Sequence, residues 1–464
     1  MTQNLSYHAS MSEGRTMKLS ELIAGLSHAL ELTEDQPHGY LKRCCWIGVN
    51  IGMAAGLSPK DLENLYYTLL LKDLGCSSTS ARICELFLTD DISFKQDFKS
   101  LETGMGAALR FIVSKTGAGA SFTERFRALV NLASKGDTLI REMLETRCDR
   151  GADIACRLRF DDDVQNAIRG LDEHWNGGGQ PVGLEKNQIH LGARIALLSQ
   201  VIDIFHTQRG REGAIAEAKA RSGTWFDPNL VSIFLKLSER EDFWAPLSDA
   251  DIDAHLARLD PAVSSIEADD DYLDDIAGGF ADVVDAKSPY TAGHSNRVTD
   301  YADMIAAQMR FSKDHRRWLR RAALLHDVGK LAVSNQILDK PGKLTDEEWL
   351  AVRAHPAHSR DILSHITIFS DLAPVAGAHH ERLDGKGYPD GRHADEITLE
   401  MRILTVADVF DALTAHRPYR AALPVGKALD ILERDSGTAF DADCVAALNR
   451  GLAELGNSGV TQAA

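Results

Sequence analysis

Apolar positions recur every three or four residues along most of the chain, and strict alternation of apolar and polar residues is scarce. Between Lys60 and Leu74, leucines stand at 62, 65, 69, 70, 71 and 74, the spacing of a helix with one buried face. Residues 314–327 and 425–433 carry the same pattern, so the chain is predicted to be all-α. An acidic stretch, Glu267 to Asp275, follows Pro261 and interrupts the periodicity. It marks 256–270 as an acidic linker, with the next helix starting near Asp271.

The pattern also repeats. Gly39-Tyr40-x-x-Arg43 matches Gly293-His294-x-x-Arg297, and Leu70-Leu71-Lys72-Asp73-Leu74-Gly75 matches Leu324-Leu325-His326-Asp327-Val328-Gly329, both at a separation of 254 residues. Glu173 to Pro181 matches Glu381 to Pro389, and Ala193 to Asp203 matches Met401 to Asp411, now at a separation of 208. Collinear matches of this kind describe two related halves, the first carrying an insertion of 46 residues between about Cys76 and Arg147. The mixed composition of the insertion predicts ordered helices and loops. Residues 1–255 and 271–464 are therefore expected to be two domains, which also suits a length of 464 residues.

Composition narrows the function. Hydrophobic residues make up 44% and charged residues 26%, as in a soluble globular protein. No run of about eighteen apolar residues predicts a membrane span. Met1 to Ser20 is polar and lacks an apolar signal core, which predicts a cytoplasmic protein. A formal charge of −17 argues against DNA or RNA as a bulk partner, though not against a small anionic ligand held by local cations. Seven cysteines without a Cys-x-x-Cys pair suggest buried thiols rather than a disulfide framework or a zinc site.

The second half gathers the chemistry. His379-His380-Glu381-Arg382-Leu383-Asp384-Gly385-Lys386-Gly387-Tyr388-Pro389 joins two imidazoles, two carboxylates and a glycine-rich turn. His326-Asp327 ends an apolar helix and is followed by Gly329-Lys330. Asp408 lies in the apolar segment Ile403 to Phe410, where a carboxylate is costly unless paired or ligated. Neighbouring helical residues point about 100° apart, so His379 and His380 suggest two metals lying side by side, each taking one imidazole. Imidazoles with carboxylates suit first-row transition metals, which make hydroxide available near neutral pH.

Together these segments resemble the HD-GYP family, metal-dependent phosphodiesterases of cyclic dinucleotides. The resemblance implies an all-α fold of two tandem HD-type helical domains, the first degenerate. It implies metal ligation by His294, His326, Asp327, His355, His379, His380 and Asp408, holding two divalent ions, iron or manganese. Some relatives hold a third ion with a glutamate four residues before the first histidine; Tyr290 stands there, so two ions are expected. Asp327 and Lys330 are the expected catalytic pair, Asp327 bridging the metals and Lys330 neutralising charge on the phosphoryl oxygens. Lys330, Tyr388, Asp411, Arg417 and Arg420 are the candidate substrate contacts. Tyr388 would stack on a guanine or close the site, and Asp411 would either orient a ligand or touch the base. Glu381 and Asp384 are expected to orient histidines and loop backbone.

The implied reaction is hydrolysis of cyclic di-GMP to linear pGpG, with further cleavage to GMP left open. Cyclic GMP-AMP is the alternative substrate, and a non-catalytic sensor or scaffold the alternative role. The Gly-Tyr-Pro loop is a candidate protein-partner surface, and a homodimer is a further expectation. In the first half the ligands are replaced: Tyr40 for His294, Lys72 for His326, Arg147 for His355, Leu171 for His379, Asp172 for His380 and Gln200 for Asp408. Only Asp73 keeps its carboxylate, and one carboxylate beside a lysine cannot hold two metals. A regulatory or structural role is expected for that half.

Overall fold

The leucine-spaced windows form the helices Pro59–Leu71, Lys313–Leu325 and Val425–Arg434. Ser58 caps the first of these, accepting from the Asp61 backbone N–H while Asp61 accepts from Ser58 in return. The computed structural model describes residues 15–33, 39–99, 105–118, 120–248, 252–259, 265–418 and 420–461. The first fourteen residues, 260–264 of the expected linker, and Tyr419 lie outside the described residues. Among the described residues no helix is long and apolar enough to cross a membrane. Cys156 is exposed; the other cysteines are buried or partly buried.

Two helical units share one frame. Tyr40–Ala54 in the first corresponds to His294–Gln308 in the second, Pro59–Leu71 to Lys313–Leu325, and Leu191–Ala220 to Leu399–Thr414. Gly39 and Gly293 open corresponding helices at φ 81° and 68°, a left-handed conformation that only glycine adopts cheaply. A second glycine pair fixes the register across the insertion. A Cβ on Gly75 would lie 1.8 Å from the Arg147 carbonyl oxygen, and one on Gly329 would lie 2.0 Å from that of His355. Both glycines thus let the turn after the first motif rest directly on the backbone that carries the next one.

The linker is not bare chain. Ser265–Ala268 pairs antiparallel with Arg15–Lys18, a two-stranded ribbon in an otherwise helical fold, and the next helix runs Asp270–Asp285 with Asp269 as its cap. The units also interlock. Gly25, on the helix Leu19–Thr33, fits against Ile366 of the second unit, where a Cβ would come within 2.2 Å. Ser77 donates to the Val283 carbonyl at 2.7 Å. The insertion forms ordered helices, Ser80–Phe87, Asp91–Lys99, Met105–Lys115 and the first part of Phe122–Arg157, around a small core of Ile83, Leu86, Phe87, Phe94, Phe111 and Leu132. Its Asp91 is fully buried and accepts from the Asn335 backbone N–H at 2.8 Å and from Ser334 Oγ at 3.0 Å, beyond the Asp327–Lys330 turn.

Candidate metal centre

Five segments of the second unit converge on one buried point. His294 opens the helix His294–Gln308; His326 and Asp327 end Lys313–Leu325; His355 begins His355–Ser364. His379 and His380 follow the short helix Ala373–Ala376, and Asp408 lies within Leu399–Thr414. Asp327 stands at the middle. Its Oδ2 is 3.2 Å from His294 Nε2 and 3.3 Å from His326 Nε2, while its Oδ1 is 3.2 Å from His355 Nε2 and 3.6 Å from His379 Nε2. Asp408 spans similarly, Oδ1 lying 3.3 Å from His294 Nε2 and Oδ2 lying 3.8 Å from His380 Nδ1. Two donor clusters result, His294–His326–Asp327 and His355–His379–His380.

Hydrogen bonds set the tautomers. His326, His355 and His379 each donate Nδ1–H to the carbonyl three residues back, Ala323, Val352 and Ala376, at 2.6 Å. Their Nε2 lone pairs therefore face inward. His355 Nε2 and His379 Nε2 consequently oppose each other at 3.1 Å, an arrangement that repels unless a cation lies between them. His294 Nε2, His326 Nε2 and Asp327 Oδ1 are buried with no hydrogen-bond partner. Orphaned inward donor atoms of this kind fit transition-metal binding.

The electrostatics divide the site by cluster. Burial drives His355, His379 and His380 toward the neutral form, His380 down to about 3. At His294 and His326 burial is outweighed by Asp327 and Asp408, which raise them to about 10 and about 9. Against burial, the histidines and Lys330 hold Asp327 well below the usual carboxylate range, and the histidines do the same for Asp408. The centre requires positive charge. Lys330 supplies some, its Nζ lying 2.5 Å from Asp327 Oδ2.

All seven expected ligands meet here, with corrections around them. His379 and His380 fall in one cluster rather than dividing between two, because they occupy a turn and not a helix, and their rings lie 4.2 Å apart. Asp411 does not face the substrate side. It is 1% exposed and its oxygens take His294 Nδ1 at 2.7 Å and Arg297 Nε at 2.6 Å, so it orients a ligand. Arg420 is not a free phosphate fork, since it donates to the Ala412, Leu413 and Ala421 carbonyls at 2.6–3.0 Å and caps a helix end. Arg417 makes a backbone bridge with Arg420, and its guanidinium has no partner among the described residues.

The ring of Tyr388 lies 4.8 Å from that of His380 and has the Arg353 guanidinium over it, also at 4.8 Å, so it packs on the centre. Glu381 serves the loop backbone as expected, accepting from the N–H groups of Asp390, Gly391 and Arg392. Asp384 pairs with Arg382, accepts from the Lys386 N–H at 3.2 Å in the same loop, and bridges backbone to backbone with His393, which is not one of the seven. Sequence reasoning assigned no role to Arg297 or Arg353; the Gly-His-x-x-Arg repeat flagged the first, and no motif flagged the second.

A family model described as the HD domain matches residues 121–230 and 280–444, spans in both units. The chain is 51% identical over 437 residues to the "3′3′-cGAMP-specific phosphodiesterase 3" of Vibrio cholerae, covering 94% of this chain and 95% of that protein. The chain belongs to the HD-GYP family. It is a metal-dependent phosphodiesterase with tandem HD-type helical domains. A crystal structure of a cyclic GMP-AMP specific phosphodiesterase of V. cholerae superposes on this HD-GYP protein with a TM-score of 0.63 at 47% identity, covering 94% of this chain and 97% of that one. The cyclic di-GMP phosphodiesterase response regulator RpfG of Xanthomonas campestris is 41% identical over 178 residues, 38% of this chain and 47% of its own length.

Proposed function

We propose that the second unit opens the 3′–5′ phosphodiester bonds of cyclic dinucleotides with two bound first-row transition-metal ions, that 3′3′-cyclic GMP-AMP is the preferred substrate, and that the first unit is a non-catalytic copy. The observation carrying the catalytic part is Asp327, whose two oxygens face two separate histidine clusters. His294 and His326 would hold one ion and His355, His379 and His380 the other, with Asp327 and Asp408 reaching both. When bound, such ions activate water near neutral pH and draw charge from phosphoryl oxygens. Iron or manganese is the expected metal, on resemblance.

The chain's own residues do the rest. The Ala323, Val352 and Ala376 carbonyls keep three imidazoles in one tautomer, and Asp411 does the same for His294. Lys330, 16% exposed at its side chain, is placed to turn toward phosphoryl oxygens as negative charge develops. Water adds its oxygen to phosphorus, the bond from phosphorus to the 3′ oxygen breaks, and that oxygen leaves with a proton, giving a linear dinucleotide with a 5′ phosphate.

The preference for cyclic GMP-AMP rests on the likeness to the V. cholerae enzyme over both units, whereas the likeness to the cyclic di-GMP enzyme RpfG covers 38% of the chain. The test is turnover of both dinucleotides by the metal-loaded protein with bound metal counted. Two ions per chain and faster cleavage of cyclic GMP-AMP are expected. Asp327→Ala should lose metal and at least about a thousandfold in kcat/KM, since several kcal/mol of charge stabilisation goes with it. Cleavage of neither dinucleotide with two ions bound would overturn the substrate class.

A further inference from the structure

We propose that Arg353 binds the second, non-scissile phosphate of the cyclic dinucleotide, a substrate contact that no motif marks. The inference rests on the functional reading above and deepens it. Arg353 ends the helix Asp346–Arg353, next to Val352, whose carbonyl fixes His355. Its guanidinium lies 4.8 Å over the Tyr388 ring, and that ring lies 4.8 Å from the imidazole of His380. It is half-buried, and among the described residues no carboxylate pairs with it. Other arginines of the second unit differ: Arg297, Arg360, Arg382 and Arg402 each grip an aspartate. In a chain of formal charge −17, a cation beside the site that is held by an aromatic face and not by a carboxylate keeps its donors for an incoming anion.

The internal repeat supplies an independent argument. At the separation of 208 that aligns His355 with Arg147, Arg353 aligns with Glu145 and Tyr388 with Gln180. At the separation of 254, Lys330 aligns with Cys76. The unit that lacks the ligands thus also lacks this cation, its aromatic platform and the lysine. It keeps Arg43 on Asp203 and Arg194 on Asp227, the pairs that match Arg297 on Asp411 and Arg402 on Asp441, the last aspartate by the likeness of Ser222-Gly223-Thr224 to Ser436-Gly437-Thr438. Framework pairs persist in both copies, and Arg353 sorts with the chemistry. A cyclic dinucleotide with one phosphate at the metals carries its other phosphate across the macrocycle, and the planar fork of Arg353 matches such a phosphate bidentately.

The experiment compares a substrate with two phosphates and a substrate with one. Wild type, Arg353→Ala and Arg353→Lys, each metal-loaded, are assayed on cyclic GMP-AMP and on bis(p-nitrophenyl) phosphate, with metal content and thermal unfolding recorded. Expected for Arg353→Ala is a KM for the dinucleotide raised about ten- to a hundredfold, the size of one lost charge-assisted hydrogen bond, with a smaller change in kcat. Its loss of kcat/KM on the dinucleotide should exceed that on the monophosphate diester about tenfold or more. Arg353→Lys, which keeps charge without the fork, should fall between. Equal losses on both substrates would mean that Arg353 only props Tyr388 and His380, and would overturn the assignment, as would no loss on either. Wild type that turns over bis(p-nitrophenyl) phosphate but no cyclic dinucleotide would instead sink the functional reading, and this role with it.

Discussion

The two units place different answers to one electrostatic problem in the same frame. In the second, Asp327 and Asp408 face inward imidazoles whose buried lone pairs call for cations. In the first, the Lys72 ammonium stands where His326 would be and donates to Asp73 at 2.8 Å, Tyr40 at 2.9 Å and Gln200 at 3.0 Å. Those acceptors replace Asp327, His294 and Asp408. Arg147, in the place of His355, pairs with Asp172, in the place of His380, at 2.9 Å. The first unit carries its positive charge covalently, and the second, on the reading proposed above, would take it from bound ions. The surrounding framework does not register the exchange. Glu173 still gathers the N–H groups of Val182, Gly183 and Leu184 as Glu381 gathers those of its own loop. The ligands are therefore not what holds the fold together.

The largest effect that could break this comparison comes from the shared carboxylate position. Asp327→Ala should abolish metal binding and activity as stated above. Its counterpart test is Lys72→Met, which leaves Asp73, 2% exposed, without its counter-charge. Breaking one side of a buried pair costs about 3–5 kcal/mol. The expected outcome is a lowered denaturation midpoint, corresponding to an unfolding free energy reduced by about that amount, while the metal count stays the same. An unchanged midpoint would mean that Lys72 is not the fixed cation described, and a lost ion would mean that the first unit contributes to the metal centre.

Much of this was legible in the sequence because the groups concerned are chemically unusual. A histidine pair, a His-Asp at a helix end and an aspartate in an apolar segment have few inexpensive structural uses, so the residues that meet at one buried point could be named before the fold. The repeat was legible because glycines and paired charges recur in order. What failed was orientation. Asp411 is three residues from Asp408, and spacing alone does not say that it turns to Arg297 and the far nitrogen of His294. The fork of Arg420 fits three carbonyls as well as it fits a phosphate. Arg353 sits on an ordinary helix, and only its place above Tyr388 sets it apart. Nor does local periodicity reveal that Arg15–Lys18 pairs with Ser265–Ala268, a contact between segments some 250 residues apart.

A smaller effect sharpens the comparison at the outer pairs. At Asp411 hydrogen bonds from His294 and Arg297 outweigh burial and hold the carboxyl below its ordinary value. At Asp203, with a tyrosine in place of the histidine, burial prevails and raises it, Arg43 notwithstanding. Asp411→Asn should weaken metal affinity about ten- to a hundredfold, because such partners fix the ring and basicity of a ligand. Metal titration checks this. Asp203→Asn should change stability and leave the titration as it was; equal effects on metal from both would contradict the division of roles.

The smallest effect concerns a histidine that belongs to the first unit alone. His174 stacks on Trp225 with ring centroids 4.1 Å apart, and burial pushes it down to about 4. Its folded value lies below the unfolded value of about 6.5, so as pH falls the unfolded chain takes up this proton first. The folded state is therefore at full advantage above about pH 6.5 and loses stability progressively as pH falls toward 4, by no more than about 3 kcal/mol from this group. His174→Phe keeps an aromatic ring on Trp225 and removes the proton. Denaturation midpoints of the two proteins should run parallel above pH 6.5 and diverge below it, the variant losing less. Metal release in the second unit contributes equally to both curves, so the difference between them reports His174, and parallel curves down to pH 4 would show that this imidazole is not held neutral by the fold.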